Sequence, residues 1–124
     1  MNVVDSSGWL EYFANGNNGQ FFAPIIQDTE KLIVPTICIY EVFKRILTQC
    51  GDEDALQAIG IMSLGTITDL TGDISLEAAQ LSIEFKIAMA DSIILATTRI
   101  NQATLWTQDA DFMDIAGVEY VPKD

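Results

Sequence analysis

The chain has 124 residues, 49% hydrophobic and 19% charged, enough length and apolar content for one domain with a real core. Eighteen Asp and Glu stand against six Lys and Arg, a formal charge of −12, so the bulk surface is a poor partner for phosphate backbones. There is no histidine, which excludes Ser-His-Asp and Cys-His nucleophilic catalysis, imidazole bases and His-containing zinc sites.

The segment MNVVD has no basic leader pattern, and every apolar run is broken well before it could span a bilayer, which points to a soluble cytoplasmic protein with no membrane partner. Residues 2 to 4 read as a first strand. Ser6 to Asn15 follows as a short helix that ends in the turn-forming NGNNG. Gln20 to Glu30 reads as a second helix, provided that Pro24 lies in its first turn. KLIVP is a short strand closed by Pro35, and Thr36 is placed to cap a helix running to about Cys50, with Gly51 as its stop. On that helix Ile39, Val42, Phe43, Ile46 and Leu47 repeat at the spacing of a core face. Cys38 and Cys50 have no CxxC spacing and are expected to be reduced and structural.

Asp52 to Leu64 is a further helix, Gly65 to Leu70 a strand, and Asp73 a cap for a helix from Ile74 to Ile87. MADSIILATTRINQ is another helix with Asp91 at its beginning. TLWT is a strand, Asp111 to Ala116 a helical turn, and VEYVP the last strand. This alternation of short apolar strands with helices predicts an α/β protein: a three-layer α/β/α sandwich with a short, mainly parallel, Rossmann-like sheet. DSSG after the first strand lacks the glycines of a dinucleotide fingerprint, so nucleotide cofactor binding is not expected.

In a parallel sheet the C-terminal strand ends share one edge, so residues distant in sequence converge there. Asp5 follows the first strand, Asp109 follows TLWT, and Asp111 comes two residues later. Asp91 opens its helix, and Glu41 lies one to two turns inside the helix after the second strand. Each has a plain alternative: Asp5, Asp91 and Asp109 could be helix caps, Glu41 a solvated side chain, and Asp111 a group answering a helix dipole. Together they form a cluster of carboxylates that repel one another unless a cation sits among them. Oxygen-only donors select Mg²⁺ or Mn²⁺. An ion held by Asp5 and Asp91 would activate water, polarise a phosphoryl oxygen and supply the attraction for phosphate that the surface lacks.

The stretches VVDSSGWLEYF, TICIYEVFKRIL, AMADSIILATTRI and LWTQDADF resemble, in order and spacing, the four acidic motifs of PIN-domain ribonucleases, specifically the VapC toxins of VapBC toxin-antitoxin systems. The resemblance implies a PIN-like fold over the whole chain, Mg²⁺- or Mn²⁺-dependent RNA cleavage, a homodimer and inhibition by a VapB-like antitoxin. By position it implies Asp5, Glu41, Asp91 and Asp109 as catalytic residues, with Asp5, Asp91 and Asp109 on the metal and Asp111 as an additional acid. Ser6 and Ser92 could hydrogen-bond a carboxylate or a metal-bound water, or else serve their helices. Lys44 and Arg45, one turn beyond Glu41, are candidates for RNA binding, with Lys86 and Arg99 behind them; all four could equally be solvated. Trp9, Tyr12, Phe13, Phe21 and Phe22 could stack a base, contact the antitoxin, or belong to the core or a dimer interface. Two other readings stand beside it: a degenerate, non-catalytic PIN-like binding module that keeps the fold, and a phosphoaspartyl phosphatase or receiver domain using Asp5 as nucleophile, which DSS disfavours for want of a second Asp.

Overall fold

Five strands and six α-helices make up the computed structural model, which describes residues 1–123. They run β1 (Asn2–Val4), α1 (Ser6–Phe13), α2 (Gly19–Gln27), β2 (Leu32–Pro35), α3 (Thr36–Cys50) and α4 (Asp52–Met62). The chain continues with β3 (Thr66–Thr68), α5 (Gly72–Phe85), α6 (Met89–Ile100), β4 (Thr104–Thr107) and β5 (Val118–Tyr120). The sheet order is β3-β2-β1-β4-β5 and every pair is parallel. Its central strands are continuous apolar runs because both faces are covered: Val3, Val4, Leu32, Val34 and Leu105 are fully buried. Trp9, Phe22 and Phe112 join them, each side chain stabilising by roughly 1.5–3 kcal/mol on burial.

The order places the site. From β1 the chain moves to β2 and β3, then returns past β1 to β4 and β5, so the direction of travel reverses between β1 and β4. Right-handed crossovers put α5 and α6 on the face opposite the helices that precede β3. A crevice therefore opens at the C-terminal ends of β1 and β4, the place where open parallel sheets bind ligands. The register pairs Val4 with Trp106, and the Asp5 amide donates to the Trp106 carbonyl at 3.2 Å, so Asp5 lies level with Thr107 across that crevice.

The expected elements are all present, with shifted ends. α1 stops at Phe13, and Asn15 turns the chain at φ +53°. α2 runs only to Gln27, and Pro24 sits in its sixth position rather than in its first turn. The missing N–H is tolerated because Pro24 faces solvent while Phe22 and Ile26 anchor the helix in the core. Residues Thr29–Lys31 form a separate 3₁₀ turn. Thr36 is the first residue of α3 rather than its cap; Pro35 holds the cap position without a side-chain bond. α5 is capped by Thr71, whose hydroxyl accepts from the Ile74 amide at 3.2 Å, not by Asp73, which lies inside the first turn. Near the C-terminus the helical turn is a 3₁₀ turn at Ala110–Phe112, and β5 ends at Tyr120.

Candidate active site

Asp5 is 2% exposed and is itself the cap of α1. The cap bond is made by its own carboxylate rather than by a serine: Asp5 Oδ1 accepts from the Gly8 amide at 2.9 Å. The Ser7 hydroxyl donates to the same carboxylate, 2.9 Å from each oxygen, and Thr107 Oγ1 donates to Oδ2 at 2.7 Å. Three donors against about four lone-pair sites leave room for one more partner. Burial pushes Asp5 up to about 6, and the bonds from Thr107, Gly8 and Ser7 oppose that rise.

Asp91 stands in the first turn of α6, where Ala88 is the cap and the Asp91 side chain is left for the crevice. It is pushed up to about 7, first by burial and then by the negative charges of Asp109, Asp5, Glu41 and Asp111. Thr107 links Asp5 to the segment that carries Asp109, and Ser6 beside Asp5 reaches Glu41 on α3, so the acids that follow β1 and β4 and the acid of α3 face one crevice. Asp91, Asp109 and Asp111 each present a carboxylate oxygen within 4.8 Å of the others, with Asp91 and Asp109 half-buried and Asp111 exposed. Asp109 Oδ1 accepts from the Asp111 amide at 2.9 Å, which fixes the short turn that carries both.

Glu41 is half-buried on α3 and accepts at Oε1 from Ser6 Oγ at 2.7 Å, a bond that joins α1 to α3 across the crevice. Ser92 is buried, and its hydroxyl donates to the Met89 carbonyl of its own helix at 2.7 Å. Cys38 is fully buried against the Val4 carbonyl, and burial drives its thiol far above the ordinary range, so it is a protonated packing group. Lys44 lies over the Tyr40 ring at 5.6 Å, and Arg99 over Phe85 at 5.4 Å. Trp9 and Phe22 are core residues, stacked or edge-packed on Phe13 and Phe21.

Thr107 is the residue the sequence reading passes over. Fully buried at the end of β4, it donates to Asp5 and accepts from the Asp109 amide at 2.9 Å, so one hydroxyl sets the spacing of two acids. The available signal was a hydroxyl residue at a strand end two positions before an acid. The donor set suits a hard divalent cation: carboxylate oxygens only, no sulfur or imidazole, and mutual repulsion that a cation would relieve.

An acid-lined crevice at the reversal point of a five-stranded parallel sheet defines a class of α/β domain. The family model described as PIN domain matches residues 3–118, and the chain belongs to that family. Its backbone is similar to a toxin-antitoxin complex from Klebsiella pneumoniae, with a TM-score of 0.83 at 21% identity over 100% of this chain and 99% of that one. It is also similar to VapC20 of Mycobacterium tuberculosis, a Sarcin-Ricin loop cleaving toxin, with a TM-score of 0.77 at 17% identity over 96% and 98%. VapBC2 of Rickettsia felis, bound to a DNA fragment from its promoter, gives a TM-score of 0.76 at 15% identity over 99% and 98%. At such identities the likeness is one of fold. No curated protein matches the sequence.

Proposed function

We propose that the chain is a metal-dependent endoribonuclease and the toxin of a VapBC-type toxin-antitoxin pair. The observation that carries this reading is the meeting, at one sheet edge, of acids from four separated stretches of a chain that has no histidine. Asp5, Asp91 and Asp109 would hold Mg²⁺ or Mn²⁺, with Asp111 as a further ligand. When bound, the ion supplies a lowered pKa for water and charge stabilisation at the phosphoryl oxygen. Glu41, held by Ser6 at Oε1, keeps Oε2 for orienting the attacking water. Thr107 and Ser7 keep the Asp5 carboxylate in place.

The assembly follows the same reading. Similar structures include toxin-antitoxin and VapBC complexes, which supports a VapB-like antitoxin as partner; a homodimer acting in the cytoplasm completes the proposal. No helix among the described residues is long and apolar enough to cross a membrane. Asp5→Asn and Asp91→Asn are expected to abolish cleavage of RNA and growth arrest while far-UV circular dichroism stays that of the parent, and EDTA is expected to stop the wild type. Full activity in either variant sinks the assignment. A folded wild type that binds a partner but degrades no RNA with metal present makes the chain a binding module instead.

A further inference from the structure

Between the end of β4 and Asp109 stands Gln108, whose amide side chain is buried. Its Oε1 accepts from Asn18 Nδ2 at 3.0 Å, and its Nε2 reaches the Ser7 carbonyl at 3.5 Å. Asn18 lies in the loop between α1 and α2. The same Nδ2 donates to the Pro122 carbonyl at 3.0 Å, so both hydrogens of that amide are used. The direction of the bridge is fixed at its two ends, because the backbone carbonyls of Ser7 and Pro122 only accept, and each amide must turn its nitrogen toward them.

Neither end is loose. The Asn18 backbone amide donates to Glu11 Oε2 at 2.8 Å. That carboxylate fills the space beside Gly16, where a Cβ would stand 2.4 Å from Glu11 Cδ, so α1 and the loop that follows it close on each other there. Pro122 is held because the Val121 amide donates to the Thr107 carbonyl at 3.0 Å, which continues the pairing of β4 with β5 past Tyr120. On the other side, Ser7 carries the hydroxyl that meets both oxygens of Asp5. Gln108 therefore ties the segment of Asp5 to the segment of Asp109. Thr107 makes one tie between those segments, and Gln108 makes a second that extends to the loop and the C-terminal tail.

We propose that Gln108 and Asn18 are positioning residues of the acidic site: a bridge of two amides that holds the backbone beside Asp109 against that of Ser7 and so keeps Asp5 and Asp109 in register for one divalent cation. The inference rests on the metal-dependent ribonuclease reading above and deepens it. Neither side chain meets the ion or the RNA in this role; each acts through the acids it places. Carboxylates drawn from separate elements bind a cation only as well as those elements are held together, because freedom in their spacing is lost on binding. An amide pair makes this tie without adding charge to a crevice crowded with acids, where a lysine would compete with the cation and a glutamate would add to the repulsion.

The test uses the full chain as wild type, Gln108→Met, Asn18→Leu and the double variant, which keep the shape of the side chains and remove the amides. Asn101→Leu is the control: Asn101 donates to the Thr97 carbonyl at the end of α6 remote from Asp91, so an amide bond is lost away from the site. Mn²⁺ binding is measured by isothermal titration calorimetry without RNA, cleavage of RNA across a Mn²⁺ series, and melting temperature in EDTA. Each single variant is expected to bind Mn²⁺ about tenfold more weakly, the order of loss typical when a partner of a metal ligand is removed, and to need proportionately more Mn²⁺ for half-maximal cleavage. Because the two side chains form one bridge, the double variant is expected to lie within about twofold of the singles, whereas independent contributions would multiply to roughly a hundredfold. Asn101→Leu is expected to lower the melting temperature and keep the wild-type affinity. Asn18→Leu, in a half-buried loop position, tests the bridge even where Gln108→Met fails to fold. A wild type that binds Mn²⁺ and cleaves RNA, with a folded single variant matching its affinity or with losses that multiply, overturns the bridge and leaves the ribonuclease standing. A wild type that neither binds Mn²⁺ nor cleaves overturns both.

Discussion

Thr107 shows how much of the site depends on one small side chain. Its hydroxyl gives Asp5 its shortest hydrogen bond and takes the Asp109 amide, so its loss leaves a buried carboxylate short of a donor. Thr107→Val keeps the shape and removes the hydroxyl, and it is expected to cost about 2 kcal/mol of stability, typical for a bond to a charged group. Without that donor the charged form of Asp5 is disfavoured further, so the acid limb of the pH–rate profile is expected to move to higher pH, and Thr107→Ser to restore it. A Val variant with the parent's profile removes Thr107 from the positioning of the acids. The four acids themselves were legible in the sequence, because strand ends in a parallel sheet must share an edge. Thr107 was not, since it reads as an ordinary strand residue until Asp5 is found level with it. The same holds for the cap of α1. Ser6 and Ser7 have the chemistry to cap it, but Ser6 is turned toward Glu41 and Ser7 toward Asp5, and only the packed structure shows both bonds.

At the scale of elements, α1 holds its place because of a residue that has no side chain. A Cβ built on Gly8 would stand 2.6 Å from Val4 Cγ1 and 2.7 Å from Phe22 Cε1, so α1, β1 and α2 meet there only with glycine. Gly8→Ala is therefore expected to destabilise by roughly 1–3 kcal/mol through overpacking, despite the better helix propensity of alanine. It also moves the Gly8 amide that donates to Asp5, so activity is expected to fall along with the melting temperature. Gly60, inside α4 with open space around its Cβ position, provides the contrast: Gly60→Ala is expected to stabilise by about 1 kcal/mol. Equal melting temperatures for the two variants contradict this account of α1. Element order and type could be read from periodicity, because the strands are short apolar runs and the helices carry core faces. Ends could not, where tertiary anchoring overrode local rules: Phe22 and Ile26 carry α2 through Pro24, and Thr71 takes the capping role for which Asp73 has equal chemistry.

For the whole molecule, net charge and the acidic site act in the same direction on stability. Asp5 and Asp91 are pushed up to about 6 and 7 in the folded chain, against 3.8 for an ordinary Asp. Between about pH 4 and pH 7 the native state thus binds more protons than the unfolded one, and stability falls as pH rises. The contribution of these two groups is fully present below pH 3.8 and is lost as pH passes through 6 and then 7. Repulsion within a chain of charge −12 adds to the same slope. A divalent cation bound among the ionised carboxylates reverses the sign, because it binds the charged form of the native site and stabilises by mass action. Differential scanning fluorimetry from pH 5 to pH 8 is expected to give a melting temperature that falls with pH in EDTA. In millimolar Mg²⁺ or Mn²⁺ it is expected to be flat or rising, with the two curves diverging most above pH 7. Asp91→Asn removes the most strongly shifted of the two acids, so its EDTA curve is expected to be shallower than the parent's and its response to metal smaller. Parallel curves with and without metal would mean that the carboxylates are crowded for a reason other than holding an ion.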